Sequence, residues 1–200
     1  ARPEAGAARR NPTRSRLPDV LRAERVPTHH GAITLLRIYS FDVDDQQFID
    51  ELLRLLPRLD QSGLVIDLRD NPGGTIWAAE RALQLFTPKR IVPTRFSLLA
   101  TPLARRLATI PGLARQELAP WRDSLEDAVR NGELYSRALP ITPEDKCNEI
   151  GQVYGGPVLL VANSSTYSSG DLFTAGFVDN AIGPYLCVGE ATAGGGANVY

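Results

Sequence analysis

Three short stretches of this chain collect residues whose types and spacing suit chemistry. The first, Asp67-Leu68-Arg69-Asp70-Asn71-Pro72-Gly73-Gly74, ends on paired glycines. Glycine leaves its backbone N–H unshielded, so a pair opening a helix suits an anion or an oxyanion. A tight left-handed turn that only glycine tolerates is spelled the same way. The second stretch, from Ala162 through Ser164, Ser165, Ser168 and Ser169 to Asp171 and Phe173, is rich in serine. Ser168 stands three residues before Asp171, the spacing of a helix cap and its first turn. Its hydroxyl then sits at the positive end of the helix dipole, where a nucleophile and a developing oxyanion are both favoured. Two readings stand side by side. Ser168 is a plain cap, with Asp171 completing a variant capping box; or it is a nucleophile on a strand–turn–helix elbow without the Gly-x-Ser-x-Gly spelling, with the Ser169 N–H as an oxyanion donor. Ser164 and Ser165 fall in the preceding loop and should bond locally. The third stretch, Gly189 to Asn198, reads unaided as a flexible loop.

The elements around these stretches are legible from hydrophobic periodicity. Ala32–Ile38 is a β-prone run, and Asp44 is placed to cap a helix carrying Phe48, Leu52, Leu55 and Leu56 before Pro57. Leu64–Leu68 is a nearly continuous apolar strand of the kind buried on both faces. A helix with Ile76, Ala79, Leu83 and Phe86 on one side follows the glycine pair. Pro157–Ala162 is another buried strand, Ser168–Asp179 a helix, and Tyr185–Gly189 a short strand. Strands alternating with helices are the grammar of a parallel sheet with helical crossovers, and in such sheets ligands bind at the carboxyl ends of strands. All three stretches fall there. Residues 97–150 break the rhythm, with helical patches at Leu98–Leu107 and Trp121–Val129 interrupted by Pro102, Pro111 and Pro120, and read as a helical insertion.

Composition narrows the class. The chain has 200 residues, 43% hydrophobic and 22% charged, with a net charge of −1. That fits one globular domain or most of a larger one. No apolar run approaches the roughly 18 residues of a membrane span. Near-neutral charge gives no reason to expect nucleic acid or acidic lipid as the main partner. Two cysteines, Cys147 and Cys187, are too few for a disulfide framework; Cys187, inside an apolar strand, reads as a small core residue, and whether the two pair is open. The first thirty residues hold seven arginines against three acids, with four prolines among them. Residues 1–30 therefore read as an Arg/Pro-rich linker or lead-in. With no methionine and an abrupt end at Tyr200, the chain reads as a piece of a longer protein. The only histidines, His29 and His30, are adjacent, which suits linker positions; no ligand cluster supports a metal site.

Taken together, the motifs are more specific than any one alone. Gly63-Leu-Val-Ile-Asp-Leu-Arg-Asp-Asn-Pro-Gly-Gly74, Gly156-Pro-Val-Leu-Leu-Val-Ala-Asn163, Tyr167-Ser-Ser-Gly-Asp171 and Gly189-Glu-Ala-Thr-Ala-Gly194 resemble, in order and spacing, the S41 peptidases. That family comprises the C-terminal processing proteases and the tricorn core protease. The likeness runs over residues 31–200 and is poor across 97–150. It implies an α/β fold, a crotonase-like or ClpP-like superhelix of ββα units with the helical insertion. It implies serine-type endopeptidase activity with Ser168 as nucleophile, oxyanion donors at Gly73 or Gly74 and Ser169, no cofactor, and a polypeptide substrate bound in extended form. One departure matters. Processing proteases place a lysine base in a Gly-Lys-Gly loop, where this chain has Gly194-Gly195-Gly196, and no lysine follows Ser168. A Ser–Lys dyad is therefore not expected. The glycine-only loop looks closer to the tricorn-like branch, with a histidine base and an orienting glutamate. His30 is then the candidate base, although its position does not match the family's histidine cleanly; the other reading puts both partners outside the chain. The alternative is a non-catalytic ligand- or peptide-binding module on the same fold. The compartment, extracytoplasmic or cytoplasmic, and the oligomeric state stay open.

Overall fold

A computed structural model describes residues 14–29, 31–109 and 118–195. Its strands are β1 (Leu21–Thr28), β2 (Gly31–Ile38), β3 (Leu64–Asp67), β4 (Arg95–Phe96), β5 (Leu139–Pro140), β6 (Val158–Asn163) and β7 (Tyr185–Val188). Its α-helices are α1 (Asp45–Leu55), α2 (Ile76–Leu83), α3 (Pro102–Leu107), α4 (Arg122–Asn131) and α5 (Ser169–Asp179). The main sheet has the order β1-β2-β3-β6-β7. From β2 to β7 every pairing is parallel, while β1 and β2 form an antiparallel hairpin. This is the mixed α/β architecture that alternating strands and helices imply.

Register explains which residues make the core. Leu36, Ile66 and Leu160 lie side by side across β2, β3 and β6 and are fully buried. They pack with Phe48, Leu52 and Leu55 of α1, Ala79 and Leu83 of α2, and Phe173 and Phe177 of α5 in one continuous cluster. The row one residue back, Leu35, Val65 and Leu159, faces the other side and is only half-buried. The apolar run of β3 is thus not covered equally on both faces. Asp44 caps α1 as its sequence position predicts, its carboxylate accepting from the Gln47 N–H at 3.0 Å.

Two expectations change. Among the described residues, regular structure begins at Leu21, not Gly31. Leu21 is fully buried and Ala23, two residues on and on the same side of β1, is half-buried, while Arg22 and Arg25 stay exposed. Averaged over thirty residues, the arginines and prolines hide this short alternation, and Pro27 is tolerated because β1 is an edge strand. Even Arg14–Arg16 are tied down, since the Arg16 N–H donates to Glu51 at 2.7 Å and Arg54 donates to the Arg14 carbonyl at 2.8 Å. The second change is Cys187, which is half-buried on the edge strand β7 beside exposed Leu186 and Val188. Both cysteines are free thiols, and Cys147 is the one in the core.

Residues 97–150 hold α3 and α4, as the two helical patches predict, and also β5, which pairs in a small ladder with β4 just before the segment. A separate small core of Ala108, Trp121 and Leu125 holds them together, and the Trp121 indole donates to the Phe96 carbonyl at 2.8 Å. Side chains fasten the segment's roots to the main body. Glu80 of α2 accepts from the Thr94 N–H at 2.8 Å, and Gln84 accepts from the Ile150 and Gly151 N–H groups, each at 2.9 Å.

Candidate active site

The carboxyl ends of β3 and β6 bring the glycine turn and the serine stretch together. A Cβ placed on Gly73 would stand 2.6 Å from the Ser168 Cβ and 2.9 Å from the Ser169 nitrogen. Only glycine permits that approach. Gly73 has φ +96° and Gly74 φ +140°, and a Cβ on Gly74 would meet the Phe41 carbonyl carbon at 2.1 Å. The Phe41 N–H donates to the Gly73 carbonyl and the Thr75 N–H to the Phe41 carbonyl, each at 2.8 Å. Because a trans peptide points its N–H opposite to its C=O, the N–H of Gly74 faces away from Phe41.

Ser168 occupies the residue before α5, with φ 55° and ψ −123°. A β-carbon-bearing residue in that region stores strain, of order 1–3 kcal/mol, and such residues concentrate at functional sites. Its hydroxyl makes no capping bond. The capping-box reading also fails at Asp171, whose carboxylate accepts from the Thr192 hydroxyl instead. Ser169 is fully buried and its hydroxyl has no partner among the described residues. No acceptor is engaged by the N–H of Ser169 or Gly74 among those residues, whereas the Gly73 N–H donates to Asn71 Oδ1 at 2.8 Å. Ser164 and Ser165 are exposed, and the Ser165 N–H bonds locally to Asn163 Oδ1 at 3.2 Å.

As far as Gly195, the last residue described, the loop after β7 is tied down. Thr192 reaches Asp171, the Ala193 N–H donates to the Thr166 carbonyl at 2.9 Å, and the Ser168 N–H donates to the Gly194 carbonyl at 2.8 Å. This strap lays Gly195 against the serine, so that a Cβ there would stand 2.9 Å from the Ser168 Cα. Behind the elbow, the Thr166 hydroxyl donates to the Leu68 carbonyl at 2.8 Å, and Asn163 exchanges hydrogen bonds with Asp70 at 2.9 and 2.8 Å. Thr166, Asn163 and Thr192 were not singled out by sequence reasoning. Small polar residues in a loop carry no signal of which distant backbone they will meet.

Charge at the mouth is organised by Asp67. Burial alone would raise this carboxyl, but hydrogen bonds from Arg69 and Arg37 outweigh that and hold it below the usual carboxylate range. Arg37 and Arg69 approach it at 2.6 and 2.7 Å.

His29 lies elsewhere, exposed at the β1–β2 hairpin, and His30 falls outside the described residues. Gly31, which follows, opens β2 at the amino end of the parallel strands, whereas Ser168 is at their carboxyl end. At about 3.3 Å per residue, β2 alone separates the two ends by roughly 23 Å. Among the described residues no group of three or more His, Cys, Asp or Glu side chains gathers as a metal site, and no helix is long and apolar enough to cross a membrane.

Comparison with known proteins bears on the fold and the family. The fold is similar to that of mature CPAF, solved in complex with lactacystin, with a TM-score of 0.60 at 18% identity over 90% of this chain. A lipoprotein from Streptococcus agalactiae superposes with a TM-score of 0.50 at 16% identity over 86% of the chain. The chain spans 42% of the length of the first and 50% of the second. No curated protein matches it in sequence. A model of peptidase family S41 matches residues 32–199. By that match, which takes in the glycine turn, the serine elbow and the strap alike, this chain belongs to peptidase family S41.

Proposed function

We propose that this chain is the nucleophile-bearing part of a serine endopeptidase. The observation that carries the reading is Ser168, held at positive φ with its hydroxyl unused as a cap, directly against the glycine turn. Ser168 Oγ attacks the scissile carbonyl as its proton passes to a base. The carbonyl oxygen, now negative, is met by the N–H groups of Ser169 and of the glycine turn, where Gly74 is better placed than Gly73 because Asn71 already holds the Gly73 N–H. Each such donor is worth about 3–4 kcal/mol in comparable sites. The α5 dipole adds to the same end. The substrate is a polypeptide bound in extended form along the sheet, with residues 97–150 shaping one wall, and the strand–helix units build the crotonase-like or ClpP-like superhelix.

A lysine base in the position of the Gly-Lys-Gly loop does not fit, because the strap leaves little room for a side chain at Gly195. A histidine oriented by a glutamate fits the glycine-only strap better. With His29 at the far end of the sheet, the proposed base is not among the described residues.

Fluorophosphonate labelling of the protein carrying this segment tests the proposal. Covalent capture should be abolished by Ser168→Ala and slowed less than about tenfold, or ~1.4 kcal/mol, by Ser165→Ala. Labelling that survives Ser168→Ala moves the nucleophile elsewhere, and an unreactive wild type favours the non-catalytic binding module.

A further inference from the structure

The residue that joins the two halves of the site is neither a serine nor a glycine. Asn71 is fully buried between β3 and the glycine turn. Every polar group it owns is engaged. Its carboxamide donates to the Ile38 carbonyl at 3.0 Å, anchoring the turn to the end of β2, while its Oδ1 accepts from the Gly73 N–H at 2.8 Å. Its main-chain N–H donates to the Leu68 carbonyl at 3.1 Å, and its main-chain carbonyl accepts from the Tyr167 N–H at 2.9 Å, one residue before Ser168. Gly170, in the first turn of α5, lies closely against it: a Cβ there would stand 3.1 Å from Asn71 Oδ1, tighter than most real contacts.

These contacts have a directional consequence. An Asn side chain that accepts from the N–H two residues on closes an Asx turn. Here the turn fixes the Gly73 N–H inward. The peptide that follows is fixed by its carbonyl, which accepts from the Phe41 N–H at 2.8 Å and from the Ser40 hydroxyl at 3.1 Å. With both peptides pinned, the Gly74 N–H has a single direction, away from Phe41. We infer that Asn71 is a positioning residue that selects Gly74, rather than Gly73, as the glycine-turn donor facing Ser168. The inference rests on the reading of Ser168 as nucleophile for its consequence in rate, but not for the geometry itself.

Two variants of similar volume separate the parts. Asn71→Asp keeps an acceptor for the Gly73 N–H and loses the donor to Ile38; Asn71→Leu loses both. In fluorophosphonate labelling, Asn71→Leu should slow the covalent step at least tenfold per folded molecule at unchanged reversible affinity. Asn71→Asp should recover most of that loss. A purely structural role would lower the melting temperature and leave the rate per folded molecule unchanged, which overturns the inference, as does an Asn71→Asp protein as slow as Asn71→Leu. Amide hydrogen exchange by NMR supplies a readout that needs no activity. In the wild type the Gly73 amide should be protected and the Gly74 amide should exchange freely, with Gly73 protection lost in Asn71→Leu or, if that variant does not fold, weakened in Asn71→Asp. Free exchange at Gly73 in the wild type overturns the inference whatever the reactivity. Gly73 protection in a wild type that does not label would instead remove the nucleophile reading and leave the Asn71 geometry standing.

Discussion

At Gly195 the chain departs from the Ser–Lys pattern for a steric reason as well as a chemical one. A Cβ there would meet the Ser168 Cα at 2.9 Å and the Ser168 nitrogen at 3.3 Å, both rigid backbone atoms. Restoring the missing amine should therefore not restore a dyad. Gly195→Lys is expected to cost about 1–3 kcal/mol of stability through overpacking and to bring no increase in Ser168 labelling. Thermal melts and labelling rates check the two halves separately. A tenfold gain in rate would show that the strap yields, and that its present position is not what excludes lysine. The residue scale thus assigns Gly195 to holding the elbow closely, with the strap's three hydrogen bonds setting its height.

At the scale of elements, the junction between α2 and the 97–150 segment turns on Glu80. The side chain is buried, one oxygen accepts from the Thr94 N–H, and the other has no partner among the described residues. Burial raises its pKa above the ordinary value, and the hydrogen bond from Thr94 and the nearness of Thr142 offset this only in part. The neutral acid is therefore the form the fold prefers. Its contribution to stability is fully present below the ordinary carboxyl value of 4.5 and is lost as pH rises through the raised value. Glu80→Gln keeps an acceptor for Thr94 and cannot ionise. Its melting temperature should pull ahead of the wild type's as pH is raised from 4.5 toward neutrality, and a constant gap across that window would refute the assignment. The same burial, with the nearby Glu80 charge adding, pushes the Cys147 thiol up to about 12, so it should resist alkylation in the folded state. The insertion's own core hangs on Trp121. Trp121→Ala should cost about 3–5 kcal/mol, and hydrogen exchange should rise across β4, α4 and β5 before it rises in β3 or β6. Uniform loss of protection would mean that the two cores unfold as one.

For the molecule as a whole, an aromatic chain joins the site's supports. Phe41 stacks on Phe173 at 5.8 Å and meets Phe48 edge-on at 5.5 Å, and Phe173 stacks on Phe177 at 6.4 Å. Phe41 is also the residue whose backbone pairs with the glycine turn, so the packing beneath α5 and the position of the turn are set by the same cluster. Phe173→Ala should cost about 3–5 kcal/mol. In a chain of this size that is a fall in melting temperature on the order of 10 °C. Urea unfolding would check it; a loss under about 1 kcal/mol would show that the site's supports are not mechanically continuous with the core.

Much of this was legible in the residues. Apolar runs such as Val158–Ala162, the Asp44 cap and the Ser168–Asp171 spacing are local signals, and local backbone preference and one-sided burial are what they encode. They located β6, α1 and α5, and put Ser168 just before its helix. The paired glycines announced a position where side chains are forbidden. Only tertiary structure decided what forbids them: the Ser168 elbow against Gly73, and the Phe41–Asp42 backbone against Gly74. Composition misled at Leu21–Thr28, because an edge strand needs one partner and a few inward residues, not an apolar run. It misled at Cys187 as well, whose strand lies at the sheet's edge. Asn71 stood in the motif without a role, since an asparagine before Pro-Gly-Gly signals a turn and nothing in the sequence says that Ile38, Gly73 and Tyr167 converge on it. Sequence determines what each segment prefers locally; which segments meet is settled by packing and by the hydrogen bonds that buried polar groups must find.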